Sequence, residues 1–412
     1  MKILLLGKGI SNNALNQFML KYGIAHDYKG LEEDISYDYD LVIKGPGINY
    51  QNNVIDNFIK LNVKVICDIE FIAKFIDKNY IAITGTNGKT TTTKLVENLL
   101  NTKHKAIACG NIGYPFAQAA IDYKDYNYFV IETSSFELKG TVDFKPNISV
   151  ILNINIAHQD YHLSFLDYYN SKQNITINQR KNDVLIYNYD DYYVAKIAAK
   201  SKARKYSFSL KNTFTTAYFK NNSFYYMGQK IISSSKYQCI SDGVKYDILA
   251  SLIVAKILGI SNRNIKKVIN NYKQEKYRFE KVDNYIYNDA KSTNIYSTIN
   301  ALDFFKNDMI LLICGGYDRG EDLEPLCMYS KNIKKVYAYG ETKHKLKLFF
   351  SKIMIDCEEF DFLNEAVIKA LNEHKKEIIL YSPMFASYDQ YNSYLERGKE
   401  FYRIIKKNKK PN

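Results

Sequence analysis

Short apolar runs ending in glycine or small polar residues recur along this chain, separated by stretches of helical period. "KILLLGKG" (2–9), "DLVIKGPG" (40–47) and "VKVICDIEF" (63–71) open the series. "YIAITG" (80–85), "YFVIETSSFEL" (128–138) and "ISVILNI" (148–154) continue it. A later set follows residue 277: "YIYNDAKSTN", "MILLICGG", "KVYAYG" and "EIILYSP". Uninterrupted apolar runs of this length are the mark of strands buried on both faces, and their alternation with helices predicts parallel, doubly wound α/β layers. Residues 212–232 differ. There polar and aromatic residues alternate at period two, which predicts an exposed antiparallel hairpin. The pattern places boundaries near residues 79 and 274, giving segments 1–79, 80–274 and 275–412. No low-complexity linker separates them, so the domains are expected to meet closely.

Length agrees: 412 residues exceed one ordinary core. Hydrophobic residues at 46% and charged residues at 25% exclude a disordered chain. No run approaches the apolar length of a membrane span. "MKILLLGKGI" lacks a long apolar core and a cleavage site, so it reads as a first strand, not a signal. The cysteines at 67, 109, 239, 314, 327 and 357 form no CxxC pair, which fits a reducing, cytoplasmic setting better than a zinc ribbon or disulfide framework. The net charge of +13 suits nucleic acid or an anionic small substrate. No RNP-like or helix-turn-helix pattern supports the former, and no nucleic-acid partner is expected.

The candidate chemistry begins at "GTNGKTTTT" (85–93). The common phosphate loop has a glycine five residues before its Gly-Lys pair; here that position is Ile83. Strand, loop and helix are nevertheless in order. Gly85, Thr86, Asn87 and Gly88 would bring backbone N–H groups and a helix N-terminus to phosphate oxygens. Lys89 would offset phosphate charge, and Thr90, with Thr91 beside it, is placed for a Mg²⁺–nucleotide. Glu132 closes an apolar strand where a second metal-binding oxygen would sit; the plainer reading is a helix-capping carboxylate. In "NIAHQDYH", His158 and His162 stand four apart, yet Gln159 replaces the glutamate of a zinc protease, which excludes that chemistry. Lys172 has nothing in its local sequence to mark it. Asp289 and Lys291 of "NDAKSTN" end a strand before a helix, as an anion contact or as ordinary capping would require. "SPMFASYDQY" (382–391) and Arg397-Gly398 follow the final strand and suit a ligand loop or a helix start.

Taken in order, "GPGI", "GTNGKTTTT", "GNIG", "ETSSFEL", "NIAHQDYH", "NSKQNI", "YRFE", "NDAKSTN", "GGYDRG" and "SPMFASYDQY" resemble the Mur ligases of peptidoglycan synthesis over essentially the whole chain. The resemblance implies a Rossmann-like N-terminal domain binding the UDP substrate. It implies a central P-loop-type ATPase domain on a mostly parallel sheet, and a Rossmann-like C-terminal domain for the amino acid. It also implies a reaction. ATP phosphorylates the carboxylate of UDP-MurNAc-L-Ala, and the amine of D-glutamate displaces phosphate to form an amide. A sister ligase, Mur or folylpolyglutamate-type, would use a different amino acid.

By the same resemblance, Lys89 is the phosphate-loop lysine. Thr90 and Glu132 hold one Mg²⁺. His158 and a carbamylated Lys172 serve a second. Asn111 and Ser134 meet the muramoyl substrate, and Asp27, after the second strand, meets the uracil end. Arg278, Asp289 and Lys291 serve nucleotide and transition state; Arg319, Ser387 and Tyr394 meet D-glutamate. A monomer is expected. Departures from the family pattern fall at Glu137 (usually glutamine), Ala157 (usually acidic), Gly243-Val244, Asp247 and Tyr277.

Overall fold

A computed structural model describes residues 1–76, 78–235, 237, 240–272 and 276–408. The chain forms two compact units. One comprises Met1–Ile154 with Leu163–Tyr272, the other Asn155–His162 with Lys273–Asn412.

The first unit carries two sheets. β1 (Ile3–Leu6), β2 (Asp27–Lys29), β3 (Leu41–Lys44) and β4 (Lys64–Ile66) pair in the order β2-β1-β3-β4, all parallel. Their inward residues Leu4, Leu6 and Val42 pack on Ile55 and Phe58 of the helix Asn53–Lys60. The second sheet has nine strands: β5 (Asn79–Thr84), β6 (Ala106–Gly110), β7 (Tyr128–Glu132), β8 (Ile148–Ile151), β9 (Val184–Asn188), β10 (Arg204–Ser209), β11 (Ala217–Lys220), β12 (Ser223–Tyr226) and β13 (Gln229–Ser233). Their order is β13-β12-β11-β10-β9-β8-β5-β7-β6. β5 to β10 are parallel and β11 to β13 form an antiparallel meander, where the aromatic alternation predicted a hairpin. β5 lies between β7 and β8, so the chain reverses direction across the sheet there. That reversal leaves a crevice at the carboxyl end of β5, where such sheets bind ligands.

A short helix, Asp68–Ile72, rivets the two sheets of this unit together. The Glu70 carboxylate, fully buried, accepts backbone N–H bonds from Val142, Asp143 and Phe144 at 2.8–3.0 Å. Cys67 N donates to Gly140 O at 3.2 Å. A Cβ on Gly140 would lie 2.4 Å from Cys67 Sγ, so only glycine allows this approach.

The second unit holds a six-stranded sheet: β14 (Glu280–Asp283), β15 (Ile286–Asn288), β16 (Ile310–Gly315), β17 (Ile333–Tyr339), β18 (Asp356–Phe360) and β19 (Ile378–Met384). The order is β14-β15-β19-β16-β17-β18, parallel apart from the β14–β15 pair. Separate apolar clusters cover its two faces. Leu302, Leu326, Leu346 and Phe350 pack on one, Leu363, Val367, Phe401 and Ile404 on the other. This double burial explains the continuous apolar runs read in the sequence.

Candidate active site

The loop 85–88 leaves β5 and enters the helix Lys89–Leu100 through Gly88, at φ +86°. A side chain is strained at that angle, and a Cβ there would lie 2.2 Å from Asp247 Oδ1. Glycine is therefore required twice over. The loop is pinned from below. Asn153, past the end of β8, accepts from Asn87 N at 2.8 Å and donates to Asn87 O at 3.1 Å; Thr86 Oγ1 and Tyr168 OH are 2.9 Å apart. These partners hold the loop's shape before any phosphate arrives, which lowers the ordering cost of binding. Asn153 and Tyr168 were not legible as site residues, since their link to the loop is made only in three dimensions.

Two lysines close on this loop. Lys89 Nζ donates to the carbonyls of Gly85 and Thr86, both at 2.9 Å. Lys172 Nζ, on the helix Phe165–Ile177, donates to the same Gly85 carbonyl at 2.9 Å and to Thr84 Oγ1 at 3.3 Å. Lys172 is 1% exposed. Burial, reinforced by the Lys89 charge, pushes its amine well below the usual lysine range, against a smaller opposing pull from Glu132.

Glu132 is the last residue of β7, as its sequence position predicts, and is 3% exposed. Thr90 Oγ1 donates to its Oε2 at 2.8 Å, and Asn111 Nδ2 to its Oε1 at 3.1 Å. The helix that follows is capped by Ser134 and Glu137 instead, so Glu132 is spared for chemistry. Among the described residues no group of three His, Cys, Asp or Glu forms a metal cage. One carboxylate and one hydroxyl oxygen beside a phosphate loop instead match Mg²⁺, which takes few protein ligands and shares the phosphates.

Behind Glu132 lies a buried acidic pair. Glu137 Oε2 accepts from both Ser134 N and Ser134 Oγ at 2.7 Å, and Ser134 Oγ accepts from Glu137 N at 3.2 Å. Burial, then the nearby Asp68 charge, pushes the Glu137 carboxyl up to about 8. Burial pushes Asp68 up to about 6, tempered by backbone hydrogen bonds and the Lys44 charge. Asp247 is also engaged: it accepts from Thr92 Oγ1 at 3.1 Å, from the helix Asp242–Ile257.

The sequence expectation for Asp27 fails on position. Asp27 opens β2 instead of following it, so it stands away from the carboxyl edge of a parallel sheet, and its carboxylate accepts from Tyr39 OH at 2.7 Å. The three-residue strand was too short for period-two patterning to fix its ends.

In the second unit, residues 155–162 are irregular, not helical. His158 takes φ +57° and His162 N bonds His158 O at 3.0 Å, so their spacing reflects a turn. Asp289, 3% exposed, accepts from Phe279 N at 3.0 Å and from the hydroxyls of Ser292 and Ser382. Burial lifts it to about 6, with the Arg278 charge acting against the rise. Lys291 Nζ stands 5.4 Å over the Tyr394 ring, and the Arg319 guanidinium 5.3 Å over that of Tyr388. Ser387 is buried and its carbonyl accepts from Tyr391 N at 2.8 Å. Arg397 proves to be scaffold: wholly buried, it donates to the carbonyls of Ala386, Ala290 and Phe385 at 3.0–3.1 Å. It thereby ties the loop after β19 to the loop after β15.

A glycine loop at a sheet reversal, a threonine–glutamate pair and a lysine buried behind them define a nucleotide-dependent enzyme built for phosphate chemistry. Comparison with known proteins narrows the class. Residues 83–255 match the Mur ligase middle domain. A UDP-N-acetylmuramoylalanine–D-glutamate ligase of Oenococcus oeni is 35% identical, covering 98% of this chain and 97% of that one. The enzyme of the same name from Bacillus cereus strain ATCC 14579 is 36% identical, covering 97% and 91%. Among solved structures, a pseudomurein peptide ligase type C from Methanothermus fervidus superposes with a TM-score of 0.66 at 18% identity, covering 99% of this chain and 100% of that one. The MurF ligase from Thermotoga maritima in complex with ADP gives 0.63 at 16%, covering 99% and 95%. The chain belongs to the Mur ligase family.

Proposed function

We propose that this chain is an ATP-dependent ligase that joins D-glutamate to UDP-N-acetylmuramoyl-L-alanine in peptidoglycan precursor synthesis, releasing ADP and phosphate. The observation that carries it is the convergence at one loop of Lys89, the Thr90–Glu132 pair and the buried Lys172. The names of its full-length relatives support the choice of D-glutamate. The residues have separable tasks. Backbone N–H groups of 85–91 cradle the triphosphate, and Lys89 turns from the loop carbonyls to the phosphates. Thr90 and Glu132 hold Mg²⁺, which when bound offsets charge between phosphate and substrate carboxylate. Asn111 keeps Glu132 oriented, and Ser134 meets the muramoyl substrate. Arg278, Asp289 and Lys291 serve the nucleotide; Arg319, Ser387 and Tyr394 receive D-glutamate.

Lys172, once carbamylated, would serve a second Mg²⁺, a role that the family resemblance gives to His158 as well. A neutral amine is the form that adds CO₂: its lone pair forms the N–C bond, one N–H proton leaves and a carbamate anion remains. Burial of Lys172 favours that neutral form. The protein acts as a cytoplasmic monomer.

The test is phosphate release from ATP with UDP-N-acetylmuramoyl-L-alanine and a panel of amino acids. D-glutamate should stimulate it most. Stimulation by L-lysine or diaminopimelate, with none by D-glutamate, would reject the assignment.

A further inference from the structure

Ser134 donates its hydroxyl proton inward. Its Oγ lies 2.7 Å from Glu137 Oε2, and that same oxygen already takes the Ser134 N–H. Glu137 N in turn fills one lone pair of Ser134 Oγ. An ionised carboxylate accepts only, and its hydrogen bonds are about twice as strong as neutral ones. Facing ionised Glu137, Ser134 therefore has just a lone pair left for anything outside. Facing neutral Glu137, the inward bond is an ordinary one and the hydroxyl proton can turn outward to an anionic oxygen.

From this geometry we propose that Glu137 is a proton-gated positioning residue: while neutral it lets Ser134 donate to an anionic oxygen of the UDP-linked substrate, and on ionising it withdraws that donor. The proposal rests on the reading above of Ser134 as a substrate contact.

The surroundings favour the neutral form at physiological pH. Glu137 is 2% exposed. The titratable and charged groups around it come from every packed element. Asp68 and Cys67 lie at the start of the riveting helix, Lys44 at the end of β3, Cys109 on β6 and Glu132 on β7. On its own helix, Lys139 is bound to Asp167 at 2.6 Å. Among the described residues Asp68 Oδ1 is buried without a hydrogen-bond partner, so backbone hydrogen bonds and the Lys44 charge relieve the acid beside Glu137 only in part. Two buried acids beside one buried lysine hold a proton between them more readily than two charges. The Ser134 hydroxyl meets the Glu137 member of this pair, whose carboxyl is pushed up by burial and then by the Asp68 charge.

The KM for UDP-N-acetylmuramoyl-L-alanine is the first readout, taken from about pH 6 to 9 beside the KM for ATP. In the unmodified enzyme the substrate KM should rise about tenfold across the upper half of that range, the scale of one charge-assisted hydrogen bond, with the ATP KM unmoved. Glu137→Gln, permanently neutral, should hold the low value throughout. Ser134→Ala should give a high KM that no longer follows pH. A wild-type profile retained in Glu137→Gln, or a flat wild-type profile, overturns the proposal. The second readout needs no turnover. The infrared difference between wild type and Glu137→Gln should show a protonated carboxyl stretch near pH 7 that is lost above about pH 9. Its absence at pH 7 overturns the gate. A chain with no D-glutamate-dependent phosphate release at any pH overturns the functional reading alone, and the infrared result still decides this one.

Discussion

Lys89 and Lys172 share one acceptor: each amine nitrogen lies 2.9 Å from the carbonyl oxygen of Gly85. The two are thus within about 6 Å, where like charges disfavour each other's ionisation. Lys89 is only half-buried. The buried end, Lys172, is driven toward the neutral amine. One backbone carbonyl therefore organises a division of labour between two residues of the same type.

Lys172→Ala should lower turnover by about 10²–10³-fold, the scale for removing one preorganised electrostatic group, while leaving ATP binding measurable. Lys172→Arg should be as inactive, because a guanidinium stays charged and adds no CO₂. Steady-state ADP release beside an ATP-analogue titration gives both numbers. Unchanged turnover in either variant removes Lys172 from the mechanism.

Gly88→Ala should raise the KM for ATP and lower the melting temperature. It meets two penalties: the positive φ, about 1 kcal/mol, and contact with the Asp247 carboxylate. Adding Asp247→Ala should recover the second penalty and not the first. A double variant no better than Gly88→Ala would show that the backbone angle alone matters.

Glu70→Ala should destabilise the chain by about 3 kcal/mol or more, since it strands the backbone N–H groups of Val142, Asp143 and Phe144 that this carboxylate accepts from. Glu70→Gln keeps one acceptor oxygen and should lose less. Urea denaturation measures both. A loss within 0.5 kcal/mol, about the size of a surface change, would mean the riveting helix carries little of the stability.

The pH dependence of stability should bear the mark of Glu137. Its folded carboxyl sits at about 8 against an ordinary 4.5, so between those values the folded chain binds a proton that the unfolded chain does not. Stability then falls as pH rises from about 5 to about 8 and levels off above. Glu137→Gln should remove that slope, and its advantage in melting temperature should be largest above pH 8. A variant that follows the wild-type curve would show that Glu137 is ionised in the folded state.

Much of the architecture was legible beforehand. Apolar runs ending in glycine located the parallel strands because burial on both faces leaves no polar position along them. The hairpin region was readable for the opposite reason, one wet face. Strand ends were harder: Asp27 was displaced to the wrong end of a strand only three residues long. The spacing of His158 and His162 left their local structure open, and the backbone makes a turn there.

The sequence by itself determined the local machinery. A phosphate loop needs its glycines, lysine and threonine contiguous, because neighbouring backbone N–H groups must converge on one anion. Glu132 followed from the same logic, as the end of a buried strand. Only the tertiary structure decided what surrounds that machinery. Lys172 is one lysine among many until folding removes its water and sets it on Gly85 O. Asn153, Tyr168, Asp247 and Asp68 act through partners distant in the chain, and no spacing rule encodes such a meeting. Glu137 shows the difference most plainly. In sequence it is one more acid near an anion site; buried beside Asp68, its carboxyl is pushed well above the usual range, because desolvation acts on position and not on residue type.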